Sequence, residues 1–196
     1  ILNDVSAAGA GSHVLTLDGV NTGTFIRGNI TNGAGTVSIN KSGSGIWELQ
    51  GTNSYTGATN VNAGNLRLAN LIAASSGTTF NVANGATLSL KTANSGGTTG
   101  FTSAQINSYV PTVNFASNAA ILGLDTGNGT FTHTGNLSGN HALTKLGGNN
   151  LILSGTNTYT GATFINEGGL VFSNVAAISA ASAITVNSGA YLIASS

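Results

Sequence analysis

From His13 onward the chain alternates apolar and polar residues in short runs. Val14-Leu-Thr-Leu-Asp18, Thr24-Phe-Ile-Arg-Gly-Asn-Ile30, Thr36-Val-Ser-Ile-Asn40 and Ile46-Trp-Glu-Leu-Gln50 read as such runs. Side chains of an extended strand point alternately to opposite faces, so this period predicts strands with one buried face. The strands they predict span four to six residues, and Gly and Asn punctuate them every few positions. Residues 1–12 make a weaker start, read as a frayed strand. No helical stretch carries crossovers between strands, which excludes a doubly wound fold.

The runs belong to a larger repeat. Gly51–Leu68 (GTNSYTGATNVNAGNLRL) returns as Gly155–Phe172 (GTNTYTGATFINEGGLVF), displaced by 104 positions (155 − 51). At this offset Trp47 and Leu49 align with Leu151 and Leu153, Val61 with Ile165, Leu66 and Leu68 with Leu170 and Phe172. Phe80 and Val82 align with Ile184 and Val186, and Leu88 with Leu192. The positions between them vary freely, as Glu48 against Ile152 and Arg67 against Val171 show. The kept positions therefore face a shared core and the variable ones face solvent.

A shorter period lies inside. Leu49 to Leu68 is 19 residues and Leu68 to Leu90 is 22. A period near 20 built of short strands and Gly or Asn corners predicts an all-β solenoid, a parallel β-helix of about nine coils. At ~4.8 Å per stacked strand the rod is roughly 40–45 Å long. The chain reads as one domain, 1–196, with an internal repeat at 41–90 and 145–194.

Corners require backbone that Gly and Asn tolerate best, which assigns a turn role to Asn53/Asn157, Asn62/Asn166 and Asn70/Asn174, with side-chain amides free to bond the neighbouring coil. The repeated motif comprises Gly51, Asn53, Tyr55, Thr56, Gly57, Thr59, Asn62 and Gly64, and again Gly155, Asn157, Tyr159, Thr160, Gly161, Thr163, Asn166 and Gly168. Tyr55 and Tyr159 are expected to cap corners by packing over the backbone. Residues 91–120 break the pattern: residues 94–100 read as a Gly-rich loop, and Thr102 or Ser103 caps a short helix through Tyr109, stopped near Pro111. The segment is expected on the outside of the rod or over one edge, where a specific contact could form.

Composition narrows the function. Charged residues are only 5% of the chain, and five Lys and Arg balance five Asp and Glu. A neutral chain has no long-range field to recruit nucleic acid or anionic lipid. No apolar run approaches the ~18 residues of a membrane span, so this segment is not expected to insert. Zero Cys removes disulfides, thiolate nucleophiles and Cys-ligated zinc. The opening ILNDVS has no Met or basic n-region, and the closing YLIASS stops in mid-pattern; an interior piece of a longer protein is expected.

Candidate chemistry is thin. The acids Asp4, Asp18, Glu48, Asp125 and Glu167 are scattered through the sequence. Asp18 and Asp125 each follow Leu-x-Leu and read as turn formers, whereas a glycan-cleaving β-helix needs clustered carboxylates. His133 and His141 lie eight apart (141 − 133) with no acid beside them; all three His, including His13, are expected at corners or in solvent rather than on a metal. Lys41 and Lys145 begin matching segments and are read as rim residues. Gly43-Ser-Gly45 is a turn, not a nucleophile elbow, and Gly9-Ala-Gly11 lacks the Lys and helix start of a phosphate loop. Trp47 shares the inward parity of Leu49, so core burial is expected over a carbohydrate-stacking platform. No catalytic, cofactor-binding or metal residue is assigned.

The motif Lys-x-Gly-x-Gly-x-x-x-Leu-x-Gly-x-Asn-x-Tyr-Thr-Gly-x-Thr-x-Val-Asn-x-Gly-x-Leu spans Lys41–Leu66. It resembles the autotransporter-associated β-strand repeat, also called the passenger-associated transport repeat. The second copy, Lys145–Leu170, departs from it at Asn149 and Ile165. The resemblance implies a right-handed parallel β-helix in the exported passenger of a Gram-negative bacterium, at the outer cell surface, with a role in passenger folding and secretion and no cofactor. The expected function is a non-catalytic structural or adhesive stalk or filament module. Its expected partners are neighbouring repeats or copies of itself end to end, with a cell-surface glycan or host surface as candidate ligand. A glycan-binding or glycan-cleaving β-helix is the alternative. An ice-binding surface, suggested by Thr130-x-Thr132-x-Thr134 and Thr156-x-Thr158-x-Thr160, is a third.

Overall fold

The computed structural model describes residues 2–94, 99–173, 175–177 and 183–194. The candidate corner Asn174 and the loop residues 95–98 lie outside the described residues. The fold is all-β, a solenoid of parallel strands with about nine turns and one short helix. Each turn visits three faces. The first face stacks Ser12–Leu17, Thr36–Lys41, Thr59–Val61, Phe80–Val82 and Asn114–Phe115 in one parallel sheet. The second face stacks eight strands in order: Thr24–Ile26, Ile46–Leu49, Asn65–Leu68, Thr87–Lys91, Ile121–Asp125, Ala142–Leu146, Thr163–Ile165 and Ile184–Val186. On the third face Val5–Ala7 pairs with Ile30–Gly33, and farther along Phe131–His133, Asn150–Leu153, Gly169–Phe172 and Tyr191–Ala194 form a four-stranded sheet.

The register explains the sequence period. On the second face Leu49, Leu68, Leu90, Leu124, Lys145, Ile165 and Val186 stack in one column, at steps of 19, 22, 34, 21, 20 and 21 residues, each the difference of successive numbers. A second column runs Trp47, Leu66, Leu88, Leu122, Leu143. Leu66, Leu68, Leu88, Leu90, Leu122 and Leu124 are all fully buried. Full burial of each such side chain is worth about 1.5–3 kcal/mol, and no single turn could bury them alone.

The long step of 34 marks the 91–120 segment. It does not lie outside the rod as expected. Thr92 bridges Phe101, Phe101 and Ile106 are fully buried, and Val110 and Val113 join the same core. The helix α1, Ser103–Tyr109, begins with a capping box in which Thr102 accepts from the Gln105 backbone while the Gln105 side chain accepts from Thr102 N–H. The 3-10 turn Val110–Thr112 with Pro111 ends it. Chain order places α1 where a third-face strand would run, between the 3-10 turn Leu71–Ala74 and Phe131–His133.

The segment also shifts the phase of the repeat. In the first copy the Lys41 strand lies on the first face and Asn65–Leu68 on the second. In the second copy the Lys145 strand lies on the second face, and Gly169–Phe172 pairs on the third. Ile121–Asp125 is the hinge of this change. It stacks on Thr87–Lys91, which closes the first copy, and carries Ala142–Leu146, which opens the second. Equal motifs thus occupy positions one face apart around the rod.

Candidate functional site

Most residues of the repeated motif are internal ties, within a turn or between turns. Tyr55 and Tyr159 do not cap corners from outside; both are fully buried, and their hydroxyls bond Thr59 Oγ1 at 2.7 Å and Thr163 Oγ1 at 2.6 Å. An unpaired tyrosine hydroxyl costs free energy in a core, and the Thr four residues on supplies the partner here. Burial pushes Tyr55 up to about 12, against the pull of the Thr59 bond. Between the pair, Gly57 and Gly161 have no room for a Cβ, which would strike the Val37 carbonyl and the Ala142 backbone.

Asn53 links three successive turns. Its Oδ1 accepts from Ile30 N–H at 2.9 Å and its Nδ2 donates to the Ala73 carbonyl at 2.8 Å. Asn157 repeats this between Leu137 N–H and the Ala177 carbonyl. The expected amide contacts to neighbouring coils therefore exist, but the expected left-handed asparagine corners do not. Among the described residues the only non-Gly residue at positive φ is Ser75, while Gly64 and Gly168 hold φ 65° and 60°. Asn70 is extended and caps the 3-10 turn by accepting from Ala73 N–H. Asn62 is exposed, and Asn166 bonds Thr144 and Asn187. Thr56 is tied to Asn32 and Thr160 to Asn140, again one turn away, and Gly51 and Gly155 lie against the Gly28 and Gly135 backbone of the preceding turn.

Lys41 and Lys145 are not rim residues; both are fully buried. Each occupies a core column, Lys41 between Leu17 and Val61, Lys145 between Leu124 and Ile165. Lys41 Nζ donates to the Gly43 and Ala63 carbonyls, and Lys145 Nζ to those of Leu146, Gly147 and Glu167. The ammonium thus fastens the turn after its own strand to the turn one coil later, beside Gly64 or Gly168. Desolvation lowers both amines, Lys145 to about 8, with Asp125 and Glu167 pulling that value back up.

Two of the scattered acids, Glu48 and Asp125, are brought together in one place. Arg67 Nε donates to Glu48 Oε2 and its Nη1 to Asp125 Oδ2, both at 2.8 Å, and Lys91 lies 3.8 Å from Glu48. Arg67 and Asp125 are 58 residues apart and two strands apart in the stack, and the residues that follow Arg67 in its column, Ser89 and Gly123, are small. Both carboxylates are nearly buried, and Gln50 donates a further bond to Glu48. One guanidinium holding both carboxylates ties three strands of the second face together. Asp125 Oδ1 also accepts from Gly127 N–H and Asp18 Oδ1 from Gly19 N–H, as expected of turn acids.

His133 and His141 were expected at corners or in solvent and are instead buried. His133 shares the inward parity of Phe131, bonds Ser103 Oγ on α1 at 3.1 Å, and leaves Nε2 without a partner. Burial lowers it to about 4. His141 lies 4.7 Å from the Phe115 ring and stacks at 5.8 Å on Tyr159, with Nδ1 on the Ala142 carbonyl and Nε2 unpaired; burial lowers it too. Among the described residues no group of three His, Asp or Glu could hold a metal ion. Trp47 packs against the core only half-buried, its indole donating to the Asp18 carbonyl at 2.8 Å. The threonine runs build no flat array: Thr132 stacks on Ile152, and Thr158 on Ser138.

A cleft of about 700 Å³ opens between residues 71–78 and the end of α1. Leu71, Ile72 and the Tyr109 ring give it apolar walls, and its remaining side chains are Thr, Ser, Asn and Ala. The volume lies in the range of small-ligand sites. No sequence signal marked it, because its walls are 30 and more residues apart and meet only when α1 replaces a strand.

Among the described residues no helix is long and apolar enough to cross a membrane. The passenger-associated-transport-repeat family matches residues 39–68 and 143–172. A curated relative, the adhesin BmaC autotransporter of Brucella suis biovar 1 (strain 1330), is 32% identical over 162 residues, 83% of this chain. The chain spans only 4% of that relative's length. No solved structure matches it. Two copies of the same motif, both matched by the family and set in a parallel β-solenoid, show that this chain carries passenger-associated transport repeats.

Proposed function

We propose that the chain is a non-catalytic structural and adhesive module of an exported surface protein, a length of β-helical stalk that spaces or presents other parts of its passenger outside the cell. The observation that carries this reading is the wiring of the rod. Asn53, Thr56, Asn157, Thr160 and Asn166 of the motif bond neighbouring turns, and the Tyr55–Thr59 and Tyr159–Thr163 pairs lock their own, so the repeated chemistry builds a stack. The autotransporter adhesin relative supports display at the cell surface. At the last turn Val186, Tyr191, Leu192 and Ile193 are 37–45% exposed, although Leu192 continues the buried Leu151–Leu170 column. A further turn, from the same passenger or from another copy, would cover them.

Each turn offers its edge as a template for the next, which also suits vectorial folding during secretion. The test places this chain between an export signal and a barrel translocator in a Gram-negative host. Surface display is then measured by protease accessibility for the intact module and for one lacking residues 41–90. Reduced display of the shortened passenger is expected. Equal display of both would sink the secretion role.

A further inference from the structure

We infer that the cleft between residues 71–78 and α1 binds a neutral saccharide unit, which deepens the adhesive half of the reading above by giving it a ligand class. The cleft is lined by no charged residue, so an anionic sugar, a phosphate or a charged peptide side chain finds no counter-charge there. The state of its hydroxyls is more specific. Ser75 donates its proton to the Tyr55 carbonyl at 2.6 Å, Thr78 to the Tyr55 and Gly57 carbonyls, and Thr112 to the Tyr109 carbonyl at 2.7 Å. Those three oxygens can only accept. They call for a ligand rich in hydroxyl donors. Thr52 and Ser76 lie on the same wall, and among the described residues their hydroxyls have no protein partner.

Ile72 faces this wall 57% exposed, an apolar surface suited to the C–H face of a sugar ring. An acyl chain would bury the accepting oxygens without donors, and an apolar peptide side chain would do the same; both lose the desolvation of those groups. Ser75 is held at φ 45°, the one non-Gly residue in that region among the described residues, at the base of the cleft. Strained backbone of this kind persists where the surroundings over-determine it, and it clusters at binding sites.

The test is an NMR titration of the ¹⁵N-labelled chain with cellotetraose, maltotetraose and chitotetraose, with 3′-sialyllactose and an uncharged Leu-Val hexapeptide as comparators. At least one neutral tetrasaccharide is expected to shift the amides of Thr52, Ser76–Thr78 and Thr112 saturably. Ile72→Ser is expected to weaken its Kd about fivefold, by loss of part of one buried aliphatic side chain, and Ser76→Ala about threefold, by loss of one neutral hydrogen bond. Both residues are exposed, so the fold survives either change and unchanged circular dichroism confirms it. The inference is overturned if no neutral saccharide perturbs the cleft, if sialyllactose binds as tightly, if only the peptide binds, or if the shifts map elsewhere and ignore Ile72→Ser. The isolated chain reports on the cleft alone, so a negative result here leaves the stalk reading to its own export assay.

Discussion

Tyr55 and Thr59 show how a family motif becomes a physical requirement. Their hydroxyls, 2.7 Å apart in a fully buried place, satisfy each other. Thr59→Val keeps the shape of Thr and strands the tyrosine hydroxyl in the core, at an expected cost of about 1–3 kcal/mol. Adding Tyr55→Phe removes the stranded group, so the double variant should recover part of that loss in urea unfolding. Additive losses in the double-mutant cycle would mean that the two hydroxyls do not depend on each other. The buried lysines teach the same lesson with a charge. An ammonium is tolerated in an apolar column because two or three main-chain carbonyls accept from it. Parity along the strand already placed Lys41 and Lys145 inward; the polarity of lysine argued for the rim, and the turn carbonyls decided against it.

At the scale of elements, helix α1 and the strand Phe131–His133 form one unit, joined by Ser103 to His133 and to Thr134. The helix was legible in the sequence, cap and stop included, because capping is a local bond between residues three apart. Its place in the stack was not, since that depends on Phe101 and Ile106 entering a core made by other turns. The two histidines give this region a pH dependence. His133 titrates near 4 in the folded chain and His141 also below the ordinary 6.5, so between about 4 and 6.5 the unfolded chain binds protons that the folded chain refuses. Their contribution is intact above pH 6.5 and is lost as pH falls toward 4. The urea midpoint should fall across that window in the native chain and fall less in His133→Leu/His141→Phe. An identical slope in both proteins would show that other groups set the acid response.

Across the whole molecule, eight stacked strands on one face at ~4.8 Å each make a rod about 40 Å long. Among the described residues Tyr191–Ala194 is an edge strand of its sheet, and its apolar residues Tyr191, Leu192 and Ile193 are exposed. Such an edge is a template for further pairing. Electron microscopy and sedimentation across a concentration range should therefore show end-to-end chains that lengthen with concentration, and Leu192→Lys should shorten them. Monomeric rods at every concentration would mean that only turns of the same passenger cover this end.

The sequence by itself determined the strands, the turn length near 20 residues, the repeat at an offset of 104 and the inward columns, because alternation and periodicity are local properties that stacking merely repeats. It also placed the ties of Asn53 and Asn157 between coils. Only the tertiary structure decided which residues from distant turns meet. Arg67 finds Asp125 across two rungs, the second copy turns one face around the rod, and the 71–78 turn and α1 enclose a cleft. The physical reason is the same in all three: the 34-residue step between Leu90 and Leu124 sets the register of everything after it, and its path depends on packing against turns that the local pattern does not describe.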